Sequence, residues 1–155
     1  MKTLLFSLLI LSVSLLVSPT ETFAQSKQAL KDATALFSGE GTKLCTLSDK
    51  FEKAKNTDAK IKTLDEIYVY FQGFWKKIVD LNTKYPELGN IMDETSAMKG
   101  QSEKFFECIG KFGMLVANIT EDAQSDEKLM KAFEEFSQKM DALTTEVDKD
   151  TKSNE

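Results

Sequence analysis

The spacing of apolar residues is the feature that most limits what this chain can fold into. Near the carboxyl terminus, large apolar side chains recur at alternating steps of four and three residues: Leu129, Phe133, Phe136, Met140, Leu143 and Val147. Because an α-helix has 3.6 residues per turn, this spacing places all of them on one face of a helix. Ser125 can act as its N-cap, and Asp126 and Glu127 suit its first turn. We therefore predict a helix from Asp126 to Asp148.

The same spacing occurs in two segments in the middle of the chain. One begins where Asp58 or Thr57 can cap it and ends at Pro86, because a residue before proline is pushed out of helical geometry. Its apolar face comprises Ile61, Leu64, Tyr68, Phe71, Trp75 and Ile78, widened by Ile67, Phe74 and Leu81. The other extends from Ile91 to Ile119. Three glycines within it each disfavour a helix by about 1 kcal/mol relative to alanine, which favours a bend or a break there.

The first amphipathic segment can be interpreted in two ways. Leu30, Ala33 and Phe37 share a phase that Leu44, Leu47, Phe51 and Ala54 continue beyond Gly39-Glu40-Gly41. Either one kinked helix extends from Ser26 to about Asn56, or two short helices meet at the glycines. The retained phase favours the kinked helix.

Four amphipathic segments joined by short connections predict antiparallel neighbours. We therefore expect an all-α domain over residues 25–149, an up-down-up-down four-helix bundle whose first helix is kinked or split at Gly39–Gly41. Residues 150–155 are polar and are expected to form a disordered tail.

The amino terminus has the composition of a secretory signal peptide. Lys2 precedes an uncharged, leucine-rich run from Thr3 to Val17, and Ser18-Pro19 interrupts it. Thr22 and Ala24 are then small residues suited to a signal peptidase, which predicts a signal peptide over residues 1–24. An uncleaved anchor is the alternative, although the run is shorter than the roughly 20 apolar residues of a membrane span. No later segment is long and apolar enough to span a membrane, so we expect a secreted, extracellular protein, or a periplasmic one in a bacterium.

Cys45 and Cys108 are the only cysteines, and an even pair in an exported chain predicts a disulfide. Each lies about two-thirds along its helix, and the first and third helices of such a bundle run parallel, so the two sulfurs have similar heights. Parallel helices are diagonal in a square bundle, however, and the bond then requires a close-packed or distorted arrangement. Two buried free thiols are the alternative.

Composition excludes several kinds of chemistry. The chain has no histidine, and all 20 basic residues are lysine. Histidine-based triads, histidine-ligated zinc, haem on an axial histidine and bidentate arginine clamps are therefore excluded. Acidic residues and lysines alternate without a metal-binding spacing, and no cofactor or metal is expected. A formal charge of −5 and the lack of a lysine stripe argue against nucleic-acid binding.

Asn118-Ile119-Thr120 is an N-glycosylation sequon outside the apolar face of the third segment. It matters only in a eukaryotic secretory pathway.

The segment from Ile67 to Leu81 holds more apolar residues than one helix face needs. A wide buried face is the simplest explanation. An exposed patch of Val69, Tyr70 and Phe74 for a protein partner is a second, and the connection from Tyr85 to Asn90 is another candidate recognition surface.

We expect a secreted, non-catalytic binding or interaction protein whose partner is a protein or an apolar small molecule. The first alternative is a carrier that holds a lipid or another apolar molecule between its helices. Six residues would line such a site: Phe71, Trp75, Phe105, Phe112, Phe133 and Met140. The second alternative is a hydrolase that uses carboxylates or a Ser/Lys pair, although no spacing in the chain specifies one.

Overall fold

The computed structural model describes residues 23–86, 99–122 and 126–152 of the chain. This part contains four helices and no strand, which confirms the all-α prediction. The helices are α1 (Phe23–Glu52), α2 (Thr57–Lys84), α3 (Lys99–Asp122) and α4 (Glu127–Lys152). The fourth helix continues beyond its predicted end at Asp148. Residues 1–22 of the predicted signal peptide, 87–90 of the candidate loop and 153–155 of the predicted tail lie outside the described residues.

Two helices begin at caps that differ from the predicted ones. The side chain of Asn56 accepts a hydrogen bond from the Ala59 amide at 2.9 Å and caps α2. The Asp126 carboxylate accepts one from the Leu129 amide at 3.0 Å and precedes α4. Predicting Thr57 or Asp58 as the cap of α2 was therefore wrong by one or two residues, and Ser125, the predicted cap of α4, lies outside the described residues. Several adjacent polar residues can cap each start, and spacing alone does not choose among them.

Helix α1 is continuous across both glycines, so the alternative of two short helices is excluded. Gly41 is buried, and a Cβ atom built there would lie only 2.9 Å from the Cα atom of Phe105 on α3. The glycine therefore serves close approach between two helices, a use that a sequence pattern does not distinguish from a break. Helix α3 is likewise unbroken at Gly110 and Gly113.

Pairs of contacting residues fix the helix directions. Helices α1 and α2 are antiparallel, since their pairs are Asp32–Lys84, Glu40–Lys77 and Lys50–Glu66. Helices α1 and α3 are parallel, since theirs are Gly41–Phe105, Cys45–Cys108 and Asp49–Lys111. Helices α2 and α4 are parallel, since theirs are Thr57–Asp126, Asp58–Lys128 and Asp65–Lys139. Together these directions give the predicted up-down-up-down bundle.

The two parallel pairs are neighbours in space. The backbones of α1 and α3 are in the most extensive contact. Those of α2 and α4, and those of α1 and α2, are also in contact, but less extensively. The expectation that parallel helices lie on a diagonal was therefore wrong for α1 and α3 and for α2 and α4. Because α1 and α3 are adjacent, Cys45 and Cys108 form a disulfide with a Cα–Cα distance of 5.0 Å. The predicted pairing is confirmed, and the alternative of two free thiols is excluded.

Aromatic side chains from all four helices fill the core. Phe37 and Phe74 both contact the ring of Phe105, with centroid distances of 5.1 and 5.3 Å. Further along the bundle, Phe112 contacts Phe71 at 5.4 Å. Burying a side chain of this size stabilises the fold by roughly 2 kcal/mol before the entropy of ordering is subtracted.

Candidate functional site

A surface cleft of about 490 Å³ lies between α1 and α2. Its walls are five residues of each helix: Glu40, Thr42, Lys43, Thr46 and Leu47 from α1, and Glu66, Val69, Tyr70, Gly73 and Lys77 from α2. Gly73 is exposed, and a Cβ atom there would meet nothing within 4 Å, so the missing side chain leaves the cleft open. We refer to these ten residues as the α1–α2 cleft.

A buried carboxylate forms one end of the cleft. The Glu40 side chain is 6% exposed, and its Oε1 atom accepts hydrogen bonds from Lys43 Nζ at 2.9 Å and from Lys77 Nζ at 2.7 Å. The Tyr70 hydroxyl donates to the Glu40 backbone carbonyl at 3.1 Å. Three side chains therefore bond to Glu40: Lys43 from α1, and Tyr70 and Lys77 from α2.

The protonation states in this cluster follow from its contacts. Burial by itself raises the pKa of the Glu40 carboxyl, but the hydrogen bonds from both lysines outweigh it and leave the pKa below its ordinary value. The hydrogen bond to Glu40 raises the pKa of Lys43. Burial, together with the Glu40 charge, raises the pKa of Tyr70 well above its ordinary range. At neutral pH the cluster therefore holds an ionised carboxylate, a protonated Lys43 and a neutral phenol.

The remainder of the cleft is less polar. Leu47 and Val69 contribute aliphatic groups, and the hydroxyls of Thr42 and Thr46 donate to backbone carbonyls of their own helix, at 3.1 and 2.8 Å. Those hydroxyls are already satisfied. Glu66, at another point of the wall, accepts from Lys50 at 2.7 Å.

The structure separates the three residues of the predicted partner patch. Val69 is 63% exposed, Tyr70 is half-buried and Phe74 is buried. The ring of Phe74 stacks on that of Tyr70 at 6.1 Å and contacts Phe105 in the core. Predicting Phe74 as part of an exposed surface was therefore wrong, because its side chain is buried in the core of the bundle. Val69 and Tyr70 both line the cleft.

The six residues predicted to line an apolar-ligand site are all buried, and none of them borders the α1–α2 cleft. Phe71 and Phe112 pack on each other, Phe112 contacts Phe136 at 6.4 Å, and Phe136 stacks with Phe133 at 6.2 Å. Their contacts are those of a packed core.

Asn118 of the sequon is exposed on α3. Phe106 and Met114 are exposed on the same helix, at 50% and 65%.

Glu40, Lys43 and Lys77 were missed by the sequence interpretation. The signal was present, because Glu40 lies three residues after Phe37 and four before Leu44, on the apolar row of its own helix. A charge on a buried row requires a partner. The glycines on both sides of Glu40 instead led to the prediction of a kink or break in the helix at this position.

None of the helices in the described part of the chain is long and apolar enough to cross a membrane. Over the same residues, no group of three or more cysteine, aspartate or glutamate side chains is placed to hold a metal ion. Comparison with known proteins gives no match to a family, to a curated protein or to a solved structure.

Proposed function

We propose that this protein is a non-catalytic binding protein that acts after export from the cytosol, and that the α1–α2 cleft is its recognition site. The observation that carries the proposal is the position of Val69, a large aliphatic side chain that is 63% exposed beside a cluster of fixed charges. Ligand sites are typically concave and combine an apolar wall with a few fixed polar groups, as the α1–α2 cleft does.

The chemistry of the cleft favours binding over hydrolysis. Lys43 is held protonated by Glu40 and is unsuited to act as a general base, and the Glu40 carboxylate is ionised and occupied by two lysines. The two threonine hydroxyls donate to their own backbone rather than to a base.

Export is supported by the amino-terminal sequence and by the disulfide, since such bonds persist mainly in oxidising compartments. We propose an extracellular or periplasmic location for the mature chain, with Asn118 as a glycan acceptor in a eukaryotic host. Amino-terminal sequencing of the exported protein is expected to begin at Gln25. Recovery of the intact Met1 chain in the membrane fraction would contradict this part of the proposal.

The recognition site can be tested by site-specific photo-crosslinking in the organism that produces the chain. A benzophenone amino acid replaces Val69 in one variant and Met114, equally exposed but on α3, in the matched control. We expect an adduct of defined mass from residue 69 and none from residue 114. Equal labelling at both positions, or an adduct at residue 114 alone, would remove the cleft as the recognition site.

A further inference from the structure

The charges of the α1–α2 cleft indicate the chemical class of its ligand. Lys43 and Lys77 come from different helices, yet both ammonium groups lie within hydrogen-bond distance of one oxygen atom of Glu40. Two cations share one anion, so the cluster carries one net positive charge. Each ammonium has three N–H donors, and the bond to Glu40 uses one of them.

The arrangement holds the two cations in place before any ligand arrives. Glu40 is buried and ionised, and it offsets the repulsion between the lysines, whose side chains are about half exposed. An anion at the mouth of the cleft would accept hydrogen bonds from both ammonium groups without reorganising them. Beside them, Leu47 and Val69 provide an aliphatic wall, and Tyr70 a ring.

We propose that the α1–α2 cleft binds a small amphipathic carboxylate, its anionic end on Lys43 and Lys77 and its apolar chain along Leu47 and Val69. The volume of about 490 Å³ lies within the range of small-molecule sites. This inference rests on the proposed recognition site and adds the class of ligand.

The test compares three probes with the same chain: decanoate, decanol and decylammonium. Binding to the full exported chain is followed by the NMR shifts of the Val69 methyl groups. We expect decanoate to bind about five- to tenfold more tightly than decanol, with decylammonium the weakest, because only decanoate complements the two cations. The preference for decanoate should shrink as salt is added.

Two variants test whether Lys43 and Lys77 cause the preference for a carboxylate. Lys43→Met with Lys77→Met should remove most of the preference for decanoate and leave decanol binding unchanged. The matched control is Lys84→Met, which breaks an ion pair with Asp32 on the same two helices but outside the cleft. Circular dichroism confirms that each variant is folded.

The outcomes separate this inference from the function on which it rests. If decanol binds as tightly as decanoate, or if the two lysine substitutions change nothing, the ligand class is wrong while the cleft remains a binding site. If no probe shifts the Val69 methyls but crosslinking at residue 69 finds a partner, the small-carboxylate assignment again falls alone. If neither experiment detects binding, both proposals fall.

Discussion

Asp32 on α1 forms hydrogen bonds with residues at the carboxyl-terminal end of α2. Its carboxylate accepts hydrogen bonds from Gln28 at 2.7 Å, from Lys84 at 2.9 Å and from the Tyr85 hydroxyl at 2.8 Å. These hydrogen bonds lower the pKa of Asp32 from 3.8 to about 2. The bond from Lys84 has the largest effect, followed by those from Tyr85 and Gln28. The folded protein therefore favours the ionised form.

This shift predicts a pH dependence of stability. A carboxyl group with a lowered pKa in the folded state stabilises the fold fully above its unfolded pKa and loses that effect as the pH falls through the folded one. The stability difference between the wild type and Asp32→Asn should be constant near pH 6 and should disappear between about pH 4 and pH 2. Urea denaturation at several pH values measures it.

Asp80→Asn is the control, since this aspartate is exposed on α2 outside the Asp32 contacts. A difference between wild type and Asp32→Asn that persists unchanged at pH 2 would contradict the proposed role of the ionised carboxylate.

At the scale of the helices, contact between α1 and α3 depends on one position without a side chain. Gly41 faces the backbone of Phe105, one turn before the disulfide. Gly39, two residues earlier on the same helix, is exposed, and a Cβ atom at that position would meet nothing within 4 Å. The two glycines therefore differ in surroundings but share the same intrinsic cost in a helix.

Alanine substitutions at these glycines should have opposite effects. Gly39→Ala should stabilise the protein by up to about 1 kcal/mol, because alanine favours the helix. Gly41→Ala should destabilise it by on the order of 1–3 kcal/mol, because α1 and α3 must separate. Urea denaturation of both variants measures the difference, and effects of the same sign would show that Gly41 is not a helix contact.

The elements also show where sequence analysis succeeds. The four helices and the direction of each follow from apolar spacing and short connections, which are local properties of the chain. The caps do not follow, because Asn56, Thr57 and Asp58 are all competent. Tertiary contact decides between them, since the Thr57 hydroxyl donates to Asp126 at the start of α4 and is no longer a cap. Likewise, the buried Glu40 is paired with Lys77, which lies 37 residues away in the sequence.

At the scale of the whole molecule, the sequence predicts the disulfide but not the packing that permits it. Apolar periodicity shows which face of a helix is buried, yet it does not determine which helices become neighbours. That choice depends on close approach at Gly41 and on ion pairs such as Asp49–Lys111, each of which joins distant parts of the chain. The cleft likewise forms only where α1 and α2 meet, so the sequence of neither helix by itself predicts it.

Reduction of Cys45–Cys108 should destabilise the fold by about 4 kcal/mol, because the bond closes a loop with a sequence separation of 63 residues. Urea denaturation of the oxidised protein with and without a phosphine reductant measures the change, and circular dichroism should show that the reduced protein is still helical. The variant with both cysteines replaced by serine is the control and should not respond to the reductant. Identical midpoints with and without reductant would contradict the prediction.

The loop closed by this bond contains the whole of α2, one wall of the cleft. A tensile load applied to the two ends of the domain therefore passes from α1 directly to α3 through sulfur and bypasses the enclosed segment. The oxidised chain stretches about 220 Å less than the reduced one, given roughly 3.5 Å per extended residue. Under tension the second helix is thus shielded. The segments outside the covalent ring bear the force, namely α1 before Cys45, α3 after Cys108 and the whole of α4.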